Sequence, residues 1–156
     1  MQRKEKHKDM QTTNLAGLRV GIVAARFNRE ITDKLLETAK QELKNRGVRA
    51  QDVRTVRVAG SVEIPFALQI LAKSKKYDFL VALGAVIRGE TPHFDYVCKI
   101  ASEGVLHVML DYEIPVGFWI LTTDNLSQAK KRISAANHAV LAAGELATIK
   151  KSFRKR

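Results

Sequence analysis

At 156 residues, with 46% hydrophobic and 28% charged side chains, the chain has the size and composition of one globular domain and not of a disordered segment. Its single cysteine, Cys98, excludes an internal disulfide framework, gives no metal-ligand spacing and fits a reducing cytoplasm. No apolar run approaches the roughly 20 residues of a membrane helix, and residues 1–17 hold no apolar stretch of a secretory leader, so a cytoplasmic protein without a membrane partner is expected. The net charge of +11 suggests a polyanion partner, but residues 1–9 and 150–156 together supply seven of those charges, and charged chain ends are ordinarily solvated, which counts against nucleic acid.

In chain order, Leu18–Ala25 reads as a first buried strand, followed by Arg26-Phe27-Asn28. Ile31, Leu35, Leu36, Ala39 and Leu43 recur at helical spacing, and Gly47 stands where a helix stops. Residues 53–58 alternate and are β-branched, giving a second strand that ends at Ala59-Gly60-Ser61. Ile64, Ala67, Leu68 and Leu71 mark a second helix, with Pro65 tolerated in its first turn. Residues 78–85 form a third strand, and Phe94, Val97, Ile100, Ala101 and Val105 carry a third helix. A fourth strand spans 115–122, after which Asp124 or Asn125 can cap a helical tail to about Phe153, broken near Asn137. The spacing therefore predicts a basic tail over 1–17, one α/β domain over 18–153 and a basic end over 154–156.

Four strand–helix repeats predict a central four-stranded parallel sheet with helices on both faces, a single-domain three-layer αβα architecture. In such a sheet the carboxyl ends of the strands open on one edge, where ligands bind beside helix N-termini. Three segments fall there: Arg26-Phe27-Asn28, Gly60-Ser61-Val62-Glu63, and Gly89-Glu90-Thr91-Pro92-His93. Each has a bland alternative. Phe27 either stacks on a flat heterocycle or packs on the following helix. Gly60 to Glu63 either binds a ligand or caps a helix. Gly89-Glu90-Thr91 either cradles an anion or binds water, and His93 either moves protons near neutral pH or merely enters a helix. Arg132, within Lys130-Lys131-Arg132, either binds phosphate or belongs to a solvated face. No Walker loop, GxGxxG or Ser/His/Asp order is present.

Taken in order, Arg26-Phe27-Asn28, Gly60-Ser61-Val62-Glu63-Ile64-Pro65 and Ile87-Arg88-Gly89-Glu90-Thr91-Pro92-His93-Phe94-Asp95 resemble the signatures of the lumazine synthase family. Thr122-Thr123-Asp124-Asn125 and Arg132 extend the likeness over residues 18 to 133. The resemblance implies a flavodoxin-like fold and a transferase of riboflavin biosynthesis, 6,7-dimethyl-8-ribityllumazine synthase. Such an enzyme condenses 5-amino-6-(D-ribitylamino)uracil with 3,4-dihydroxy-2-butanone 4-phosphate, losing phosphate and two waters. It implies that Phe27 stacks on the pyrimidine, that Ser61, Val62 and Glu63 hold the ribityl chain and nearby polar edges, and that Ala85, Val86 and Ile87 meet the pyrimidine edge through their backbone. It places Glu90 and Thr91 at the butanone phosphate and makes His93 the general acid/base. Phe118 and Arg132 match residues supplied by an adjacent subunit, so a homo-oligomer is implied, a pentamer or a multiple of one. The chemistry needs proton shuttling and anion binding, with no metal and no cofactor.

Two departures from the family pattern stand out. Ala59 and Val62 occupy positions usually held by proline and an aromatic residue. The lysine-rich Gly-Asn-Lys-Gly turn usual after the arginine is replaced by the shorter Ile133-Ser134-Ala135-Ala136-Asn137-His138-Ala139, which leaves the second phosphate-binding cation missing or replaced by His138. Two further readings stay open on the sequence: a flavin- or lumazine-binding relative without catalysis, and a basic scaffold whose tails attract nucleic acid.

Overall fold

Val20–Ala25, strand β1, is buried at all six positions, the near-continuous apolar run that a parallel strand covered on both faces requires. In the computed structural model, which describes residues 13–154, it lies inside a four-stranded all-parallel sheet of order β2-β1-β3-β4. The chain alternates strictly: helix α1 (Arg29–Asn45), β2 (Val53–Val58), α2 (Ile64–Lys73), β3 (Phe79–Ile87), α3 (His93–Asp111) and β4 (Val116–Thr123). A short α4 (Leu126–Lys130) and a long α5 (Asn137–Arg154) close the fold. This is the expected three-layer αβα fold.

Two apolar layers hold it together, one on each sheet face. On the first, Ile31, Leu35, Ala39 and Leu43 of α1 and Val140, Ala143 and Ala147 of α5 pack on Val20, Ile22, Phe79 and Val81. On the second, Ile64, Leu68 and Leu71 of α2 and Ala101, Val105 and Val108 of α3 pack on Val23, Leu80 and Ala82. Edge strand β2 is only half-buried and carries Arg54 and Arg57, charges that discourage pairing with another sheet. Arg57 donates to Asp33 of α1 across 2.7 Å. That hydrogen bond, with a weaker one from Arg29, holds the Asp33 carboxyl below its ordinary range.

The helix ends follow the expected chemistry. Gly47, just past α1, takes φ 89, a left-handed turn that favours glycine, and Pro65 sits in the first turn of α2. Cys98 is half-buried against the second apolar layer, and burial pushes its thiol up.

Three expectations need correction. Strand β3 does not end at Ala85: Val86 and Ile87 continue the ladder opposite Thr122 and Thr123, so these β-branched residues are strand and not loop. The helical tail is interrupted just before Asn137, as expected, but over residues 131–136 and not at one point. Asn125 caps α4 through its side chain at Gln128 N–H, 2.9 Å, the helix stops after five residues, and a 3-10 turn over Ile133–Ala136 buries Ala136 and sets Ile133 on the first core before Asn137 starts α5. The body also begins before residue 18: Leu15 is fully buried, packed where a Cβ on Gly144 would stand 2.7 Å from its Cδ2. The rest of the expected basic N-terminal tail, residues 1–12, and the basic end at 155–156 lie outside the described residues.

Candidate active site

Strand order reverses between β1 and β3, so the connections leaving their carboxyl ends diverge to opposite faces and open a crevice. A cavity of about 570 Å³ fills it. Its lining comes from the ends of three strands. Phe27 follows β1, Gly60 to Glu63 follow β2, and Ala85 to Ile87 end β3. Gly89, Thr91 and His93 line it from the next loop, with Phe94 and Val97 from α3.

Backbone hydrogen bonds fix the wall. Past the end of β1, Arg26 N–H donates to Val58 O (2.7 Å) and Phe27 N–H to Ala59 O (2.9 Å), extending the β1–β2 pairing into the loop. The Phe27 backbone is therefore held while its ring is 71% exposed, a costly posture for a benzyl group that no partner covers. Asn28 takes the left-handed region, φ 59, which Asn tolerates better than most residues. Its amide donates to Ala85 O at 2.7 Å, beyond Ala24–Leu83, where the β1–β3 ladder ends. Gly84 is required beneath the floor: a Cβ there would stand 2.5 Å from Ser61 Oγ. Ser61 is consequently 6% exposed, whereas Val62 is 37% exposed.

The loop after β3 is tied down by Arg88. Its Nε donates to Asp124 at the end of β4 (3.0 Å), its other nitrogen lies 3.6 Å from Asp95, and its guanidinium stacks 4.3 Å from the centre of the Phe94 ring. The hydrogen bond to Asp124 raises the Arg88 pKa further, so this cation is fully engaged. Inside the loop, His93 N–H donates to Thr91 Oγ1 at 3.4 Å, which leaves the imidazole exposed at the mouth of the cavity on the first turn of α3.

Of the residues expected from the sequence, Phe27, Ser61, Val62, Glu63, Ala85, Val86, Ile87, Thr91 and His93 line this cavity. Glu90 belongs to the same loop but is not part of the lining. Phe118 is elsewhere: it pairs with Ala82, five residues before Thr123, which at 3.3 Å per residue is about 16 Å down the strand from the pocket edge. It is 40% exposed on the outer strand. Arg132 is not on the tail helix. It follows α4, its guanidinium donating to Gln128 O (2.8 Å) and its carbonyl accepting from Trp119 Nε1 (3.1 Å), and it does not reach the cavity. His138, the candidate replacement for the missing cation, stands edge-on to Trp119 with ring centres 6.4 Å apart.

Residue-by-residue reading passed over Phe94 and Val97, whose helical spacing marks them only as core, and gave no role to Asn28 or Arg88. The signal for Arg88 is its place between a strand and a glycine, with acids at 95 and 124. Among the described residues, no group of three or more His, Cys, Asp or Glu is gathered to hold a metal ion. Among the described residues the lining also contains no lysine or arginine. The cavity can therefore clamp a flat, neutral ring between Phe27 and the strand ends, bind hydroxyls at Ser61 and Glu63, and present an imidazole to a reacting group.

A family model described as 6,7-dimethyl-8-ribityllumazine synthase matches residues 17–151. A protein of that name from Desulfovibrio desulfuricans is 49% identical over 132 residues, 83% of this chain and 85% of its own length. One from Polaromonas sp. is 46% identical over 131 residues, covering 83% and 85%. A third, from Desulfatibacillum aliphaticivorans, is 50% identical over 121 residues, covering 78% of each chain.

Proposed function

Because the chain belongs to the 6,7-dimethyl-8-ribityllumazine synthase family, we propose that its sheet-edge cavity is one half of a synthase site that a second copy of the chain completes. The protein is an enzyme, a transferase of riboflavin biosynthesis that forms 6,7-dimethyl-8-ribityllumazine. In this reading it works in the cytoplasm on two small molecules, 5-amino-6-(D-ribitylamino)uracil and 3,4-dihydroxy-2-butanone 4-phosphate. Among the described residues no helix is long and apolar enough to cross a membrane.

The observation that carries the shared site is the absence of any lysine or arginine among the described residues of the lining. A phosphate that must be bound and then released as an anion needs a preorganised positive donor. The nearest guanidinium on the same wall, Arg88, is already committed to Asp124, Asp95 and the Phe94 ring. Arg132 and Phe118 are exposed on a different part of the surface, which suits them to serve a neighbour. Large apolar side chains left in solvent support the contact: Phe66 and Ile70 on α2, and Tyr96, Ile100, Leu106 and Leu110 on α3, are each at least 48% exposed. A ring of five copies, or a multiple of it, is the assembly we assign.

Within the site the uracil stacks on Phe27 and is closed over by the neighbour's Phe118, its edge meeting the backbone of Ala85, Val86 and Ile87. Ser61, Val62 and Glu63 hold the ribityl chain. Glu90 and Thr91 place the butanone phosphate against Arg132 of the adjacent copy. The uracil 5-amino group attacks the butanone carbonyl, water leaves to give an imine, phosphate leaves as the neighbouring carbon deprotonates, and the ribitylamino nitrogen closes the ring with loss of a second water. His93, exposed beside these atoms, carries the protons. Holding two substrates face to face supplies much of the rate.

A complementation mixture tests the reading. His93→Ala and Arg132→Ala proteins, each impaired, are unfolded together and refolded, and lumazine absorbance is followed. Activity should return in proportion to interfaces that carry both native residues. A fully active monomer in ultracentrifugation, or no rescue in proven mixed rings, would refute the shared site.

A further inference from the structure

The amino edge of the sheet, opposite the catalytic pocket, holds a second cavity of about 680 Å³. Six cations line it: Arg19 before β1, Lys75 and Lys76 after α2, and Lys150, Lys151 and Arg154 at the end of α5. Against them stand two acids, Asp78 and Glu113. Asp78 pairs with Lys151 at 3.3 Å, and Lys150 Nζ donates to the Glu113 carbonyl. None of Arg19, Lys75, Lys76 and Arg154 forms an ion pair with another described residue. Six cations against two carboxylates leave a net charge of +4 facing one recess.

Helix dipoles explain only part of this. All the long helices end at this edge, and cations in a last turn, such as Lys44, Lys73 and Lys151, answer the partial negative charge there. Arg19 is on no helix, and Lys75 and Lys76 lie beyond α2. Lys75 moreover takes φ 57, the left-handed position after a helix where glycine is the ordinary residue. The fold therefore holds a lysine at the cavity in a backbone posture that lysine does not favour.

The basic field also extends past the cavity. An adjoining recess of about 320 Å³ shares Arg19, Lys76 and Tyr77 and adds Arg54 together with Asp52, whose carboxylate is already paired with Arg49 at 2.7 Å. Gly17, near the start of the described chain, and Arg154, its last described residue, both line the main cavity. The sequence beyond them carries Arg3, Lys4, Lys6 and Lys8 on one side and Lys155 and Arg156 on the other. A small phosphorylated ligand would be met by the recess alone, whereas a long anion uses the whole field. Tyr77 and Tyr112 also line the recess, half-buried against the second apolar layer, with Lys73 Nζ 6.0 Å from the centre of the Tyr112 ring. A recess admits a flexible strand, while a duplex presents its phosphates on a convex surface.

We infer that this amino-edge cavity binds the phosphate backbone of a single-stranded nucleic acid, with no sequence preference. Binding is electrostatic, through release of counterions from the strand, and is separate from synthesis at the opposite edge. Charge that the sequence spreads over positions 19, 75–76 and 150–154 is gathered at one place by the fold.

Anisotropy of a labelled oligouridylate with the full chain, titrated between about 50 and 200 mM salt, tests this. The strand should bind at low salt. For a single strand each neutralised phosphate contributes about −0.7 to the slope of log K against log salt, so Lys75→Gln/Lys76→Gln/Arg154→Gln should flatten that slope by about two. The charge-preserving Lys75→Arg/Lys76→Arg/Arg154→Lys should keep it, and both variants should form lumazine at the native rate. Replacing Arg3, Lys4, Lys6 and Lys8 with Gln in the full chain should weaken binding without abolishing it. No binding at low salt, or an unchanged slope in the first variant, would overturn the proposal, the latter assigning any binding to the chain ends. Tripolyphosphate that binds more tightly than the strand and displaces it one for one would overturn it in favour of a small-ligand pocket.

Discussion

The two edges of this sheet are ends of the same strands, yet they are chemically opposite. At the carboxyl edge the cavity is mainly apolar, has no lysine or arginine among the described residues that line it, and is braced by bonds such as Asn28 to Ala85 and Arg88 to Asp124. At the amino edge the lining includes six cations and two acids, most of them exposed. A parallel sheet makes this division available because every helix begins at one edge and ends at the other, giving opposite dipole signs and different turn chemistry. In the proposed reading, the edge that handles a phosphate ester has no cation of its own among the described residues, while the edge rich in cations lies away from the synthesis. Overall charge therefore does not locate the synthase site, which the placement of a few side chains does.

If the edges are functionally separate, substitutions should divide cleanly between stability and turnover. The largest effect is expected from Leu15→Ala. Leu15 is fully buried against α5 near the amino edge, and such a truncation costs about 2–5 kcal/mol. Thermal unfolding should shift down by several degrees, at about 2–4 °C per kcal/mol for a chain of this size, while the protein that remains folded makes lumazine with native KM values. A pocket defect at unchanged stability would show that the edges are coupled.

At the other edge His93→Ala should do the reverse. Turnover at saturating substrates should fall about 10²-fold, the low end for a positioned proton carrier, since water and substrate phosphate can relay protons. Melting temperature and binding of the uracil should stay native. Unchanged turnover would remove His93 from the reaction.

The smallest effect concerns the Asp33–Arg57 contact, which ties α1 to edge strand β2. The folded-state pKa of Asp33 is depressed, chiefly by the hydrogen bond from Arg57, so its contribution is present above the ordinary carboxylate value of about 3.9 and is lost as pH falls through that value toward the folded one. Asp33→Asn should therefore be slightly less stable than the native chain near neutral pH and converge on it in acid, in urea melts at matched salt. A gap that persists in acid would make the contact steric and not ionic.

Much of the fold was legible along the chain because it rests on local periodicity. Val20–Ala25 and Val53–Val58 announce strands, Ile31 to Leu43 a helix, and Gly47 and Pro65 its punctuation, and each signal lies within a few residues. The misreadings lie where nonlocal packing decides. Val86 and Ile87 are strand because Thr122 and Thr123 pair with them, and the tail breaks at 131–136 because Ile133 and Ala136 turn onto the first core. Leu15 joins the body because Gly144, far along the sequence, leaves room for it.

The same division holds for the site. The sequence by itself determined the family, through three motifs whose residue types and order survive without any knowledge of distance, and with it the reaction class. The tertiary structure alone decided which of those residues meet. It gathered nine around one cavity, left Phe118 and Arg132 on another surface, committed Arg88 to two carboxylates, and brought Arg19, Lys75 and Arg154 to a single recess. Motifs record chemical identity, which is local. Convergence depends on strand order and crossover direction, which are set by burial of both sheet faces together and are written in no single segment.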